Sequence, residues 1–283
     1  MKHSFKVFTL SLLVLAIAIP AMAQLNLPRV SQKASVTQTV GLTDLSVTYS
    51  RPGVKGRTVW GELVPYGQVW RTGANEATKF TTSDDIMVNG QKLAVGAYAL
   101  ATIPGADEWT VIFNTQSDLW GAYEYDEKKD ALRVKVKPQS GAQQEWFQIT
   151  FDEVTPSSAT MVLAWEKVAI PLKIDVEVNA KALANINAAL AGAKADDWRT
   201  PFRGADFAYS NDVAAKEAWG WVEQSLKVQE NFYNLSLKAK MLARDGKKAD
   251  AIKVAEKAIE TGKKATPPAD IAPTERLLAE WKK

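Results

Sequence analysis

The chain has 283 residues, no Cys and a single His, His3, with 35 Lys and Arg against 32 Asp and Glu, a formal net charge of +3. Beyond its first residues it offers neither thiol nor imidazole. That excludes Cys nucleophiles, Ser-His-Asp triads, His general bases, haem held by His, disulfides, and zinc sites of the thiolate or imidazole kind.

A charge balance so near neutral gives no electrostatic case for nucleic acid. Lys247-Lys248 and Lys263-Lys264 are the nearest thing to a basic cluster and read as a solvated helix face. Catalysis would fall to Asp, Glu, Lys, Tyr, Ser or Thr. A metal would have to be a hard, oxygen-ligated ion, and no Asp-rich loop of calcium spacing is present. No cofactor and no metal are expected.

The N-terminus carries Lys2, His3 and Lys6, then an uncharged apolar run from Phe8 to Pro20, then Ala21-Met22-Ala23. This is the pattern of a secretory signal peptide, residues 1–23, with small residues at −3 and −1 of the cleavage site. The competing reading, an uncleaved anchor, needs a longer apolar run. A lipoprotein would need a Cys after it. Removing residues 1–23 takes away Lys2 and Lys6 and no acid, leaving 33 basic and 32 acidic side chains, net +1. The expected protein is exported, periplasmic or extracellular, with no transmembrane span after cleavage.

Residues 30–178 read as an antiparallel β-sandwich or barrel. Ser35–Val40 and Leu45–Tyr49 alternate. Ile86–Val88 and Gln91–Leu93 flank Asn89-Gly90, a pair suited to a hairpin turn because both central positions need positive φ. Tyr98–Ile103 and Trp109–Asn114 flank Pro104–Asp107. Leu132–Lys137, Trp146–Phe151, Ala159–Trp165 and Ala169–Val178 complete about ten strands. There is no βαβ alternation and no glycine-rich phosphate loop.

After Val178 the period becomes helical, giving an α+β chain overall with a helical region at 180–283. Ala180–Ala193 is a helix that Gly192 can end. Asp196-Asp197 and Asn211-Asp212 are placed to cap the next two. Phe232–Ala243, Ala249–Ile259 and a helix near Thr274–Trp281 follow, the last after a proline-rich linker at 266–273. Ala218-Trp219, Val222 and Ser225-Leu226 recur 33 residues later as Ala251-Ile252, Ala255 and Ala258-Ile259, and Trp198 recurs as Phe232. The period resembles tetratricopeptide hairpins. Two repeats bury too little to stand alone, so the tail is expected to dock on the β-domain or to cap itself with its last helix.

Between the first strands and the Asn-Gly hairpin lies a segment rich in Gly and Pro that also holds aromatics and Arg. It reads Tyr49-Ser50-Arg51-Pro52-Gly53-Val54-Lys55-Gly56-Arg57, then Pro65-Tyr66-Gly67, then Val69-Trp70-Arg71-Thr72-Gly73-Ala74-Asn75-Glu76-Ala77. With Gly96-Ala97-Tyr98, Ile103-Pro104-Gly105, Glu108–Asn114 and Trp120-Gly121, these residues resemble a bacterial family known as domain of unknown function 2911. The resemblance covers roughly residues 30–175. It implies an exported protein and supplies no catalytic residues.

The site candidates come from this segment. Arg71 could present a bidentate fork to a carboxylate or phosphate, with Asn75 and Glu76 orienting the ligand. The competing reading pairs Arg71 with Glu76 and uses Asn75 to close the turn after Gly73. Arg51 and Arg57 could bound the same pocket or be surface charges on a turn. Trp60, Trp70 and Trp120, in Gly-rich loops, could stack on sugar rings or pack in the core. Trp109, Trp146 and Trp165, in strands, are expected in the core. The ligand-binding candidates are therefore Arg51, Arg57, Trp70, Arg71, Asn75, Glu76 and Trp120, and no catalytic residue is assigned.

The reading that follows is a non-enzymatic envelope protein with a small-molecule or glycan ligand, or a structural role, and a protein partner contacted through the tail. The alternative is a carboxylate-based glycoside hydrolase, drawing on Glu62, Glu76, Asp126, Glu127 or Asp130. A carboxylate pair beside Trp70 and Arg71 would favour the hydrolase. Arg71 locked in an ion pair would count against either site.

Overall fold

A computed structural model describes residues 27–283; the expected signal peptide, residues 1–23, lies outside the described residues. Ten strands and six helices follow in order. Strands β1 (Gln32–Val40), β2 (Thr43–Arg51), β3 (Thr78–Thr82), β6 (Gly96–Ile103), β7 (Trp109–Asn114) and β8 (Asp130–Val136) form one sheet in the order β1-β2-β3-β6-β7-β8. Strands β4 (Ile86–Val88), β5 (Gln91–Leu93), β9 (Gln139–Asp152) and β10 (Ser158–Val176) form the other, in the order β5-β4-β10-β9. All the pairings are antiparallel. The two sheets face each other across one core, with Val47, Phe80, Leu100 and Phe113 from the first and Phe147, Met161, Leu163 and Leu172 from the second. The sandwich expected from the alternation is present, and it stays open rather than closing into a barrel.

Three departures have physical causes. The two strands expected at 159–165 and 169–178 are one strand of 19 residues. The break at Glu166-Lys167 is a β-bulge with Glu166 at positive φ, so the ladder is interrupted and resumes. Strand β3 carries only one apolar inward residue, Phe80; its other inward positions, Thr78 and Thr82, are buried Thr hydroxyls donating to backbone carbonyls of Thr72 and Asp84. Alternation of hydrophobicity cannot reveal such a strand. Trp146, expected in the core, is 41% exposed on β9. The Asn89-Gly90 turn is as expected, with φ of 46° and 78°.

The segment 52–77 is a covering layer of the sandwich. Near its start Phe147 N–H donates to Pro52 O (2.9 Å) and Val54 N–H to Glu145 O (2.8 Å), tying it to β9. Further on, Trp70 and Thr102 exchange both backbone hydrogen bonds (2.7 and 2.8 Å), tying it to β6 beyond the end of β3. Trp60 and Trp70 then enter the gap between the sheets. Trp70 stacks on Trp165 with centroids 5.8 Å apart and planes at 19°. Trp60 meets Trp109, Trp165 and Trp70 edge-on at 4.8–5.8 Å. Such edge and offset contacts contribute about 0.5–1.5 kcal/mol each beyond the area they bury.

The helices α1 (Val178–Ala191), α2 (Arg199–Ser210), α3 (Ala215–Val228), α4 (Phe232–Arg244), α5 (Lys248–Lys264) and α6 (Ala272–Trp281) follow. The 33-residue repeat corresponds to two hairpins, α2–α3 and α4–α5. Their contact faces are lined by fully buried alanines, Ala205, Ala208, Ala218, Ala239, Ala251, Ala255 and Ala258, which let the helix backbones approach closely. Helix α6 closes the far end through buried Thr274, whose hydroxyl meets Ser236 Oγ at 3.2 Å. Helix α1 meets the β-domain: Lys181 Nζ donates to Leu42 O and Asp84 Oδ2, both at 2.6 Å. The tail thus both docks and caps itself.

Gly192 C-caps α1, and Asp197 Oδ1 accepts from Arg199 N–H and Thr200 N–H at the start of α2. Asn211 and Asp212 do not cap α3. Asn211 ends α2, and α3 begins after Ala214 without a side-chain cap.

A buried side-chain bond joins the two sheets at the core. Tyr49 OH, on β2, accepts from Ile149 N–H on β9 at 2.9 Å, both groups buried. Replacing Tyr49 by Phe leaves that N–H without a partner, which costs about 1–3 kcal/mol. A urea melt of Tyr49→Phe should show a lowered midpoint with an unchanged slope.

Candidate functional site

The structure separates the candidate residues into three surface depressions. Trp70, Arg71 and Arg57 line a cleft of about 250 Å³ with Lys55. Glu76 and Trp120 line a second, of about 340 Å³, with Lys33, Lys79 and Asp118. Arg51 borders a third with Gln32 and Trp146. Asn75 is held by the backbone, its Nδ2 donating to Ser31 O at 3.1 Å.

The first cleft follows from the backbone of 71–75. Thr72, Gly73 and Asn75 all have positive φ, at 55°, 150° and 61°. For Thr72, a β-branched residue, this is a strained conformation, and such strain concentrates at ligand sites. It is held from several sides. Thr72 Oγ1 donates to Thr102 Oγ1 (3.2 Å), Trp70 Nε1 donates to Gly73 O (3.1 Å), and Thr72 O accepts from Thr78 Oγ1. Gly73 is required, because a Cβ there would sit 2.9 Å from Ser50 O.

Arg71 emerges from this turn with its stem against Gly121. Its Nε is shielded from solvent and has no hydrogen-bond partner. Glu76, the acid expected to pair with it, is taken instead by Arg29, whose Nη1 donates to both carboxylate oxygens at 2.6 and 2.7 Å. Arg57 folds back on its own turn, donating from Nε to Val54 O (3.1 Å) and from Nη2 to Gly53 O (2.6 Å). Arg51 Nε donates to Phe147 O at 2.8 Å. Lys55 escaped selection from the sequence, although Lys55-Gly56 stands beside Arg57. Both central residues of that tight turn have positive φ, which orients the two cations. No Asp or Glu lines this cleft.

Trp60 and Trp70 are partly buried against the core, so neither offers an open face. Trp120 does, at 61% exposure, in a segment also carrying exposed Tyr123. That segment is pinned by a buried-edge network. Tyr125 OH donates to Asp130 Oδ2 (2.6 Å) and accepts from Arg133 Nη2 (2.7 Å), while Asn114 Nδ2 donates to Asp130 Oδ1 (2.7 Å) and Asp126 O (2.9 Å).

Both acids near Trp120 are held in the ionised form. The hydrogen bond from Arg29 lowers the Glu76 pKa below its ordinary value, and that from Lys79 does the same to Asp118. Among the described residues, no group of three or more acids is placed to hold a metal ion, and no helix is long and apolar enough to cross a membrane.

Two titrations check this electrostatic picture. The Glu76 carboxyl should titrate below 4.5 by NMR, and Arg29→Ala should move its midpoint upward. Burial, then the neighbouring Asp130, pushes the Tyr125 pKa up to about 12. A raised phenol pKa means the neutral form is favoured by folding, so this contribution is complete below pH 10 and fades as pH rises toward 12. Tyr125→Phe should cost about 1–2 kcal/mol at neutral pH and flatten the loss of stability between those pH values.

No curated protein and no solved structure matches the chain. The family described as "Protein of unknown function (DUF2911)" matches residues 31–174, half of the chain and nearly the whole β-domain, and the chain belongs to that family.

Proposed function

We propose that this is an exported, non-enzymatic binding protein whose β-domain takes a small anion, a carboxylate or phosphate, in the cleft formed by Lys55, Arg57, Trp70 and Arg71. One observation carries the reading: Arg71, whose Nε is buried and unpaired, borders a cleft that two further cations and no acid line. A buried donor left unpaired is costly. With Nε out of solvent's reach, an anion would be held by the terminal nitrogens of Arg71, the side chain type best shaped for two parallel bonds. The strained turn at 72–75 fixes where Arg71 leaves the backbone, so little ordering remains to be done on binding.

The hydrolase reading finds no support in this arrangement. Glycoside hydrolysis needs one carboxyl kept protonated near neutral pH. No carboxyl lines the cleft beside Trp70, Glu145 at its edge being held by the Lys55 N–H (2.9 Å), and Glu76 and Asp118 beside Trp120 have their pKa values lowered.

A thermal-shift series with phosphate, citrate, glucuronate and neutral glucose tests the reading. Ligand at a hundredfold excess over its Kd stabilises by about 2.7 kcal/mol. The expected result is a raised Tm with at least one anion and none with glucose. Arg71→Ala should abolish the shift, Arg57→Ala should reduce it, and Arg29→Ala should leave it intact. A shift with glucose alone, or one unchanged in Arg71→Ala, would overturn the assignment.

A further inference from the structure

A larger depression lies elsewhere, where the helical tail meets the sandwich. It has a volume of about 740 Å³, within the range of small-molecule sites, which favour such junctions. The turn after β1 supplies Leu42 and the loop before β10 supplies Pro156. Helix α1 supplies Ala182 and Ile186, and helix α2 supplies Phe207 and Arg203. The lining is mainly apolar and contains no acid. Arg203 is its one charged residue, exposed on α2, and no ion pair among the described residues engages it.

The groove is built into the packing of the helices. Gly204 follows Arg203 and is buried. A Cβ there would lie 2.8 Å from Ile186 Cγ2 and 3.3 Å from the Trp221 ring, so only glycine lets α2 sit this close to α1. The pair Lys181–Asp84 fixes α1 on the β-domain at the same junction. An apolar trough with a lone unpaired cation complements one kind of occupant: a hydrocarbon chain that ends in an anion.

We propose that this groove binds a single-chain amphiphile with an anionic head, a long-chain carboxylate, with the chain along Leu42, Ile186 and Phe207 and the head at Arg203. It is a second site, independent of the cleft at Arg71. Burying the chain removes apolar surface from water on both partners, and the guanidinium–carboxylate pair is charge-assisted.

The test is isothermal titration of the purified protein with dodecanoate below its micelle concentration, alongside dodecanol and acetate, with sedimentation velocity on the same samples. Dodecanoate should bind one per chain, dodecanol about ten-fold more weakly, and acetate not at all. Arg203→Ala should bring dodecanoate down to the level of dodecanol. Ala189→Trp, which adds bulk from an exposed position lining the groove, should remove both while leaving the thermal midpoint of the empty protein close to that of wild type. No binding of dodecanoate, or binding unaffected by either substitution, would overturn the proposal. So would a wild-type dimer that Ala189→Trp turns into a monomer, which would make the groove a contact between two copies. Arg71→Ala should bind dodecanoate as wild type does, keeping this test separate from the first.

Discussion

The contact on which the rest depends is the stack of Trp70 on Trp165, closed on one side by Trp60. Segment 52–77 has almost no regular structure, and its Gly and Pro content would ordinarily describe a mobile loop. Two large aromatics change that. They bury a large apolar area between the sheets, against Trp109, Phe147 and Trp165, and each is ordered by a core that exists for other reasons. Backbone bonds to β9 and β6 then satisfy the polar groups that an irregular segment would otherwise leave unpaired. Arg71 follows Trp70 directly, so the packing that orders the tryptophan also fixes the arginine. The site is rigid because the core reaches into it.

The second constraint is chemical. With neither imidazole nor thiol beyond His3, the chain is left with guanidinium, ammonium, carboxylate, hydroxyl and indole groups. The fold sorts these groups by place. Several carboxylates are neutralised by a neighbouring cation, as Glu76 is by Arg29, Asp118 by Lys79 and Asp84 by Lys181. Arg57 and Arg71 in the cleft and Arg203 in the groove are among the cations that have no carboxylate partner. Surface ion pairs add little stability, at most about 1 kcal/mol each.

Much of the fold was legible in the sequence because it follows from local rules. Asn89-Gly90 specifies its turn by backbone sterics alone, and the 33-residue spacing of small residues specifies the stacked hairpins. What was hidden depended on partners far away in the chain. Strand β3 buries Thr rather than aliphatic side chains, and its hydroxyls are satisfied by carbonyls that only the folded chain brings near. Trp146 sits at an outward position of β9 with Lys55 above its ring, something alternation within its own strand could not separate from core packing. At the site, the composition of the segment pointed to the right neighbourhood. It could not show that Arg29, outside the motif-bearing stretch, would capture Glu76, nor that Trp120 and Arg71 would face different depressions.

Hydrogen–deuterium exchange over residues 52–77, compared between wild type and Trp165→Leu, tests most directly whether the aromatic stack holds this segment. If the stack holds the segment, exchange in wild type is slow at Val54, Val64 and Trp70, whose N–H groups donate to backbone carbonyls, at rates like those of β6 and β7. In Trp165→Leu these amides should speed up selectively while β6 and β7 stay protected. Fast exchange of the segment in wild type, or a loss of protection spread evenly over both sheets in the variant, would contradict it.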